Sequence, residues 1–204
     1  QASTKYVWVV DDDVRPGSHF LELLLHVAGT RRYRALLGSI GWVMPRLSPT
    51  RRLTKYRDPT VWGGLMLPDD AIDIQVGRVQ EVDLLCSMWF FEARWARFLF
   101  AEEPPEGVGH STGEDFMFSY ALRKYANVNS FVLPTDRSLP QYSGNTDEER
   151  LMSAEHATTD TPMVKLRDDL FRRLVQRGGR FLLMEARPHD RARFLVYLDP
   201  RADP

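Results

Sequence analysis

The spacing of apolar residues along the chain predicts strands and helices in alternation, which is typical of an α/β protein. In chain order it predicts a strand over 7–10, a helix over 18–27, strands over 36–40 and 80–86, helices over 91–100 and 116–125, a strand over 130–134, a helix over 166–176, and strands over 181–184 and 194–198. The stretch 45–68, rich in Arg, Pro, Thr and Gly, has weak periodicity and predicts a long loop. The polar stretch 136–161 is also predicted to be irregular.

Two parts are predicted along the chain. Residues 1–160 carry the alternating pattern of one α/β domain, while 161–204 form a C-terminal extension that is compatible with the start of another unit. The first strand is apolar on both faces and begins close to Gln1. Because such a strand needs a neighbour on each side, we expect partner strands upstream of this sequence.

Three consecutive aspartates, Asp11, Asp12 and Asp13, follow the first strand. Side chains alternate along a strand, so Asp11 and Asp13 should point to one face and Asp12 to the other. Two carboxylates on one face repel each other unless a cation lies between them, and Mg²⁺ or Mn²⁺ with oxygen ligands would suit this place. An acidic turn that caps the next helix explains the same residues, and the triplet alone does not decide between the two interpretations.

A second acidic pair, Glu114 and Asp115, opens the helix predicted over 116–125. Acidic residues are common in the first turn of a helix, because the helix dipole and its exposed amides favour a carboxylate there. The same position suits a general base if the side chain faces a cleft that holds a substrate hydroxyl. Taken alone, the pair favours the structural explanation.

Composition narrows the classes of function. The formal net charge of the 204 residues is -1, which gives no indication of a nucleic-acid surface. Cys86 is the single cysteine, so no disulfide can form within the chain. The sequence has no apolar stretch long enough to cross a membrane.

The order of these motifs resembles the second half of the catalytic domain of GT-A glycosyltransferases, close to the inverting family 2. A strand ending in Asp-x-Asp is followed by a strand and an aromatic segment around Trp89, then by Gly113-Glu114-Asp115 at a helix start, and then by a strand that ends at Pro134. The resemblance covers roughly residues 5–135. It implies a GT-A-like, Rossmann-like mixed sheet flanked by helices, without its N-terminal nucleotide-binding half.

The resemblance also implies a function, which is the metal-dependent transfer of a sugar from a nucleotide-sugar donor to an acceptor hydroxyl, with inversion. The implied cofactor is Mn²⁺ or Mg²⁺, and the implied partners are the nucleotide sugar and a glycan, lipid or protein acceptor, with no nucleic acid. Since the nucleotide-binding half is not in this chain, we expect the parent protein to be the enzyme and this piece alone to be inactive. The full-length protein is then expected in the cytoplasm or associated with membranes of the Golgi and secretory pathway.

Matching positions give the implied donor and metal residues. Asp13 and Asp11 match the acids of the metal site, and Asp11 also lies toward the donor with the middle residue, Asp12. Trp89 would face the sugar or the acceptor, although a core aromatic explains this residue equally well. His156 lies where many GT-A enzymes place a histidine that completes the metal shell, but a surface histidine is the stronger explanation for it.

The implied catalytic residues are the acidic pair at the helix start. Asp115 matches the base that accepts the proton of the acceptor hydroxyl, and Glu114 beside it would orient the acceptor. His110, just before the pair, is also better explained as a surface histidine.

Two other classes of protein also fit parts of this sequence pattern. A strand followed by an acidic pair also opens the receiver domains of response regulators, which are phospho-switches. That class needs a second strand ending in a phosphoacceptor aspartate, but Asp58 has no apolar run before it and Asp69-Asp70 follow Pro68. The receiver interpretation is therefore the weaker one, whereas a non-catalytic remnant that binds a sugar or a partner stays open as an alternative.

Overall fold

Two mixed β-sheets with helices packed against them make up the described part of the chain. The computed structural model describes residues 3–12, 14–30, 34–42, 60–62, 74–75, 79–86, 88–104, 110–134, 139–146, 169–170, 173–174 and 176–177. The strands are β1 (Tyr6–Val10), β2 (Ala35–Gly38), β3 (Ile40–Trp42), β4 (Thr60–Trp62), β5 (Ile74–Gln75), β6 (Gln80–Val82), β7 (Leu84–Cys86), β8 (Met88–Glu92) and β9 (Asn129–Val132). The α-helices are α1 (Phe20–Gly29) and α2 (His110–Ala126), and 3₁₀ helices cover Ala93–Phe98 and Pro140–Tyr142. The predicted α/β class with a mixed sheet is thereby confirmed.

The main sheet has the strand order β1-β8-β2-β9-β6. Strand β8 is antiparallel to both β1 and β2, and β2 is parallel to β9. It follows that β1, β2 and β9 all run in the same direction and end at the same edge of the sheet. In the register of β1 and β8, Val9 lies opposite Trp89 and Val10 opposite Met88.

A second, smaller sheet has the order β5-β4-β3-β7. The chain passes from the main sheet into it twice, at Ser39 between β2 and β3 and at Asp83 between β6 and β7. The strands predicted over 36–40 and 80–86 are therefore each two strands in different sheets. Apolar residues continue through both crossings, since Ile40, Leu84 and Leu85 are as buried as the residues before them, so the pattern alone does not reveal the change of sheet.

Each face of the main sheet carries its own apolar core. The face covered by α1 contains Phe20, Leu24, Val27, Leu37, Met88, Phe90, Phe131 and Leu133. The face covered by α2 contains Leu36, Val82, Leu85, Phe91, Trp95, Phe118, Leu122 and Val132. Strand β1 alternates between the two, with Tyr6, Trp8 and Val10 packed on the α1 side and Val7 on the α2 side.

Strand β1 differs from its prediction in its burial. It was expected to be buried on both faces, but it is an edge strand of the described sheet, and Val9 is 38% exposed. The other residues of β1 are half-buried. Strand β1 is therefore more apolar than its partial burial among the described residues would require.

Helix α2 has well-defined limits. Gly113 (φ -152°, ψ 25°) interrupts the helical geometry, so the continuous helix begins at Glu114. At the other end Asn127 takes a left-handed conformation with φ 50°, and the amide of Val128 donates to the carbonyl oxygen of Leu122 (3.2 Å). The left-handed residue ends the helix, and the chain passes from it straight into β9.

The prediction of a helix over 91–100 is wrong for the first two residues of that range. Phe91 and Glu92 belong to β8, and only Ala93–Phe98 is helical, as a 3₁₀ helix. The spacing of Phe91, Trp95 and Phe98 suits an α-helix, but Phe91 gains its burial by pairing with Val7 across the sheet.

The remaining predictions have mixed outcomes. Thr60–Trp62 is a strand inside the predicted loop 45–68, whose other residues lie outside those described. The described residues of the helix predicted over 166–176 are helical, while the strands predicted over 181–184 and 194–198 lie outside. Among the described residues, no helix combines the length and the apolar character needed to cross a membrane. The division into 1–160 and 161–204 stays a prediction.

Glu102 joins the end of α2 to the C-terminal helical residues. Its carboxylate accepts hydrogen bonds from Lys124 and Tyr125, and Arg177 Nη1 lies 3.7 Å from Glu102 Oε2. Burial raises the pKa of Glu102, but the hydrogen bonds and charges of these partners outweigh it and bring the pKa below its ordinary value of 4.5. The same contact raises the pKa of Lys124 above its usual range.

Acid should remove the stabilisation that Glu102 supplies. A carboxyl whose pKa is lowered by folding stabilises the folded state above its unfolded pKa, here 4.5, and this contribution is lost as the pH falls through the lower folded-state value. We expect Glu102→Gln to cost ~1–2 kcal/mol at neutral pH, the worth of a charge-assisted hydrogen bond, and the cost to vanish in acid. Denaturant unfolding at a series of pH values measures this, with the exposed Glu103→Gln as control. A cost that does not change with pH would contradict the assignment.

Gly144 fits against β2 only because it has no side chain. A Cβ atom built there would lie 2.0 Å from Ser39 Cβ and 3.2 Å from a ring carbon of Phe20. We expect Gly144→Ala to destabilise the fold by ~1–3 kcal/mol, the cost of overpacking a filled site. Gly29→Ala is the matched control, because a Cβ at Gly29 meets nothing within 4 Å. Thermal unfolding of the two variants compares them, and equal midpoints would rule out the close approach.

Candidate functional site

The ends of three parallel strands define one edge of the main sheet, which we call the carboxyl edge. Asp11 follows β1, Ser39 follows β2 and Leu133 follows β9 at this edge. Ligands of open α/β sheets bind outside the carboxyl ends of parallel strands, because helix starts and strand-end loops meet there. The sheet topology therefore brings the predicted aspartates to the place where a ligand site is expected.

Asp11 and Asp12 lie in a turn directly after β1. The amide of Val14 donates to the carbonyl oxygen of Asp11 (3.2 Å), and both aspartates are exposed. Asp13 lies outside the described residues, so its position relative to Asp11 stays a prediction.

Ring contacts fix the direction of α2 over the sheet. The ring of Phe118, near the start of α2, lies 5.5 Å from the ring of Trp89 and 5.0 Å from that of Phe91. At the other end of α2, Tyr125 stacks on Phe98, which follows β8 in the chain (6.3 Å between ring centres). Helix α2 thus runs along β8 in the same direction, and antiparallel to β1.

The two acidic motifs consequently lie toward the same edge of the main sheet. Trp89 lies opposite Val9, two residues before Asp11, while Phe118 on the ring of Trp89 is one helical turn after Glu114. A helical turn advances about 5.4 Å, so the start of α2 lies toward the edge at which β1 ends. The sequence predicts each acidic motif separately, and the antiparallel pairing of β1 with β8 gives them this common direction.

Glu114 and Asp115 open the continuous part of α2, as predicted. Both residues are half-buried, but Glu114 Oε2 is fully buried and has no hydrogen-bond partner among the described residues. A buried carboxylate oxygen without a partner is costly, and such atoms in folded proteins usually meet a water, an ion or a ligand. A bound water, ion or ligand beside this oxygen would satisfy it.

Trp89 has the core role that the sequence left open for it. It is half-buried, its ring packs on Phe118, and its Nε1 donates to the carbonyl oxygen of Leu85 (3.2 Å). The packing and the hydrogen bond make it a core residue of the α2 face. Contact of its exposed part with a sugar stays a prediction.

The segment after β9 returns to the aspartate turn and builds one wall of the edge. The amide of Arg15 donates to Asn145 Oδ1 (3.1 Å), and the amide of Gly17 donates to the carbonyl oxygen of Ser143 (2.8 Å). Thr146 donates to the carbonyl oxygen of Arg15 through both its amide and its hydroxyl. Sequence reasoning missed Asn145, since the polar stretch 136–161 gives no signal of these pairings.

Two of the histidines considered in the sequence analysis are not fully described by the structure. His156 lies outside the described residues, and of His110 only the backbone is described. His19 pairs with Glu22 (3.0 Å) and its ring lies against Tyr142. Among the described residues no group of three His, Cys, Asp or Glu side chains is arranged to hold a metal ion. The predicted metal shell of Asp11, Asp13 and His156 therefore stays a prediction.

An ion pair beneath α2 holds the helix in place. Arg123 Nη1 lies 3.1 Å from Asp83 Oδ1, and Nη2 donates to the carbonyl oxygen of Val82 (3.3 Å) and lies 3.5 Å from Glu81 Oε1. The side chain of Asp83 is 0% exposed and that of Arg123 18%. Arg123 thereby fixes α2 to the corner where the chain leaves β6 for β7, and it is a positioning residue that the sequence did not indicate.

Comparison with protein-family models gives no match, and comparison with curated proteins gives none either. The function must therefore be argued from the geometry of the carboxyl edge.

Removing Arg123 should loosen α2. Arg123→Met leaves Asp83 buried without its guanidinium, and breaking a buried pair in this way costs ~3–5 kcal/mol. Arg94→Met is the matched control, because Arg94 pairs with Glu92 (2.7 Å) but is 62% exposed, and exposed pairs contribute ~0–1 kcal/mol. Denaturant unfolding measures both variants. A similar small loss in the two would contradict the anchoring role of Arg123.

Proposed function

We propose that this protein is the catalytic part of a metal-dependent glycosyltransferase that moves a sugar from a nucleotide-sugar donor to an acceptor hydroxyl, with inversion. The observation that carries the proposal is that the end of β1 and the start of α2 both lie toward the carboxyl edge. Two acidic motifs that are far apart in sequence thus lie toward one edge of the sheet, and a buried oxygen of Glu114 lacks a partner among the described residues. A GT-A-like arrangement of residues 1–160 is part of the same proposal.

Charge supports a role for a divalent cation. Asp11 and Asp12 stand with Asp13 in the chain, and Glu114 and Asp115 lie at the same edge. Carboxylates held close together repel one another, and hard oxygen ligands of this kind suit Mg²⁺ or Mn²⁺. In the proposal Asp11 and Asp13 would hold the cation with His156, and Asp12 would lie toward the donor. A cation held there would supply positive charge opposite the departing nucleoside diphosphate.

The reaction is a single displacement. The acceptor oxygen attacks the anomeric carbon, the bond from that carbon to the diphosphate oxygen breaks, and the acceptor proton passes to Asp115. One attack from the side opposite the leaving group inverts the anomeric centre. Glu114 accepts a hydrogen bond from the acceptor through the oxygen that is otherwise unpartnered among the described residues. Trp89 offers its exposed part to the sugar.

Loss of the proposed base should abolish transfer without unfolding the protein. We expect Asp115→Asn to slow release of nucleoside diphosphate by a factor of about 10²–10⁴, the usual worth of a general base. Asp11→Asn should lower the affinity for Mn²⁺ instead. The measurement is nucleoside diphosphate release by the full-length protein from a panel of nucleotide sugars, with Mn²⁺, Mg²⁺ or a chelator present.

The matched control is Glu92→Gln, an acidic residue at the opposite end of β8 that pairs with Arg94. This variant should retain full activity. Unchanged transfer by Asp115→Asn would contradict the assignment of the base. Tight binding of Mn²⁺ and nucleoside diphosphate with no transfer by the unaltered protein would support the non-catalytic alternative.

A further inference from the structure

A pocket of about 180 Å³ lies at the opposite end of α2 from the carboxyl edge. Its lining side chains are three arginines and three aromatic residues: Arg34, Arg94, Arg97, Trp95, Phe98 and Tyr125. They come from the start of β2, the 3₁₀ helix after β8 and the last turn of α2. None of them belongs to the proposed transferase site.

The pocket carries uncompensated positive charge. Arg94 shares its charge with Glu92 through the Nε–Oε2 contact of 2.7 Å. Arg34 and Arg97 form no ion pair with a carboxylate of the described residues. Two of three guanidinium groups around the same space are thus left for a ligand, and all three arginines are exposed to solvent.

Aromatic rings lie against two of the three guanidinium groups, those of Arg94 and Arg97. The guanidinium of Arg97 lies 4.8 Å from the ring centre of Phe98, and that of Arg94 lies 5.8 Å from the ring centre of Trp95. Trp95 is buried and forms the floor of the pocket. A guanidinium stacked on a ring keeps the donors along its edge free, and these donors match the oxygens of phosphate in bidentate pairs.

Helix α2 offers a simpler explanation for part of this arrangement. The helix ends at Ala126, which also lines the pocket, and the C-terminal end of a helix attracts cations. That attraction accounts for one neighbouring arginine. It gives no reason for three of them, on two separate elements, to surround an open space with an aromatic floor.

We propose that this pocket binds a compact phosphate-bearing anion, held by Arg34 and Arg97 with support from Arg94. The ligand class follows from the charge, the planar donors and the small volume. This site is independent of the proposed transferase activity.

The test is a titration with inorganic pyrophosphate, followed by tryptophan fluorescence and calorimetry at constant ionic strength. No divalent cation is added, so that the acidic carboxyl edge repels the anion. Arg34→Gln and Arg97→Gln should each weaken binding by about tenfold, the loss expected for one charge-assisted hydrogen bond. The exposed Arg173→Gln, which lines no part of the pocket, should bind as the unaltered protein does. Thermal unfolding checks that each variant is folded.

Any of the following three outcomes would overturn the proposal. Equal weakening by Arg173→Gln would mean that the anion responds to general surface charge. Unchanged binding in both Arg34→Gln and Arg97→Gln, with lower stability, would leave these arginines as caps of α2. Binding to phosphatidylcholine vesicles that contain phosphatidylserine, without any binding of pyrophosphate, would identify a membrane-binding surface in place of a small-anion pocket. Because no residue of the pocket belongs to the proposed transferase site, failure here would leave the proposed transferase activity untouched.

Discussion

The ion pair of Arg123 with the buried Asp83 is the constraint on which the arrangement of the site depends. Asp83 lies where the chain leaves the main sheet for the second one, and its side chain is fully buried. A buried carboxylate is tolerated only when a partner compensates its charge. Arg123 supplies that compensation from α2 and also binds the carbonyl oxygen of Val82. The helix is thereby tied to one point of the sheet, and the position of its first turn follows from that attachment and the packing of Phe118.

The polarity of α2 organises the charges at the two ends of the sheet. Its N-terminal end, with Glu114 and Asp115, lies toward the carboxyl edge, at which β1 ends. Its C-terminal end lies among arginines, with Arg97 and Arg94 on the neighbouring 3₁₀ helix. Acids at the start and cations at the end both complement the helix dipole. The same complementarity that stabilises α2 therefore separates an acidic site, suited to a cation, from a basic pocket, suited to an anion.

Local signals in the sequence predicted the individual elements well. The apolar run before Asp11 gave β1, the glycine before Glu114 marked the helix start, and the run ending at Pro134 gave β9. The prediction failed where the partner of a residue decided the outcome. Phe91 has helical spacing to Trp95, yet it pairs with Val7 as part of β8. Such long-range pairing has no local signature.

The candidate site was predictable in its parts but not in its assembly. Carboxylates after a strand and at a helix start are visible in the sequence, and both lie where they were predicted. Their common direction toward the carboxyl edge depends on the antiparallel course of β8 beside β1, which no spacing reveals. The roles of Arg123 and Asn145 were not predicted for a related reason, because the partner of each is remote in the chain. Arg123 pairs with Asp83, and Asn145 accepts a hydrogen bond from the amide of Arg15. A charged residue in the last turns of a helix, or an amide in a polar loop, carries no sign of its partner.

The most direct test of the account is to locate bound Mn²⁺ by its broadening of backbone amide NMR signals. Mn²⁺ is titrated into the isotopically labelled protein in the presence of nucleoside diphosphate. The account predicts simultaneous loss of the signals of Asp11, Asp12, Glu114 and Asp115, while those of Arg97 and Tyr125 at the other end of α2 persist. Broadening around Asp11 without any at the start of α2 would contradict the claim that the two acidic motifs form one site.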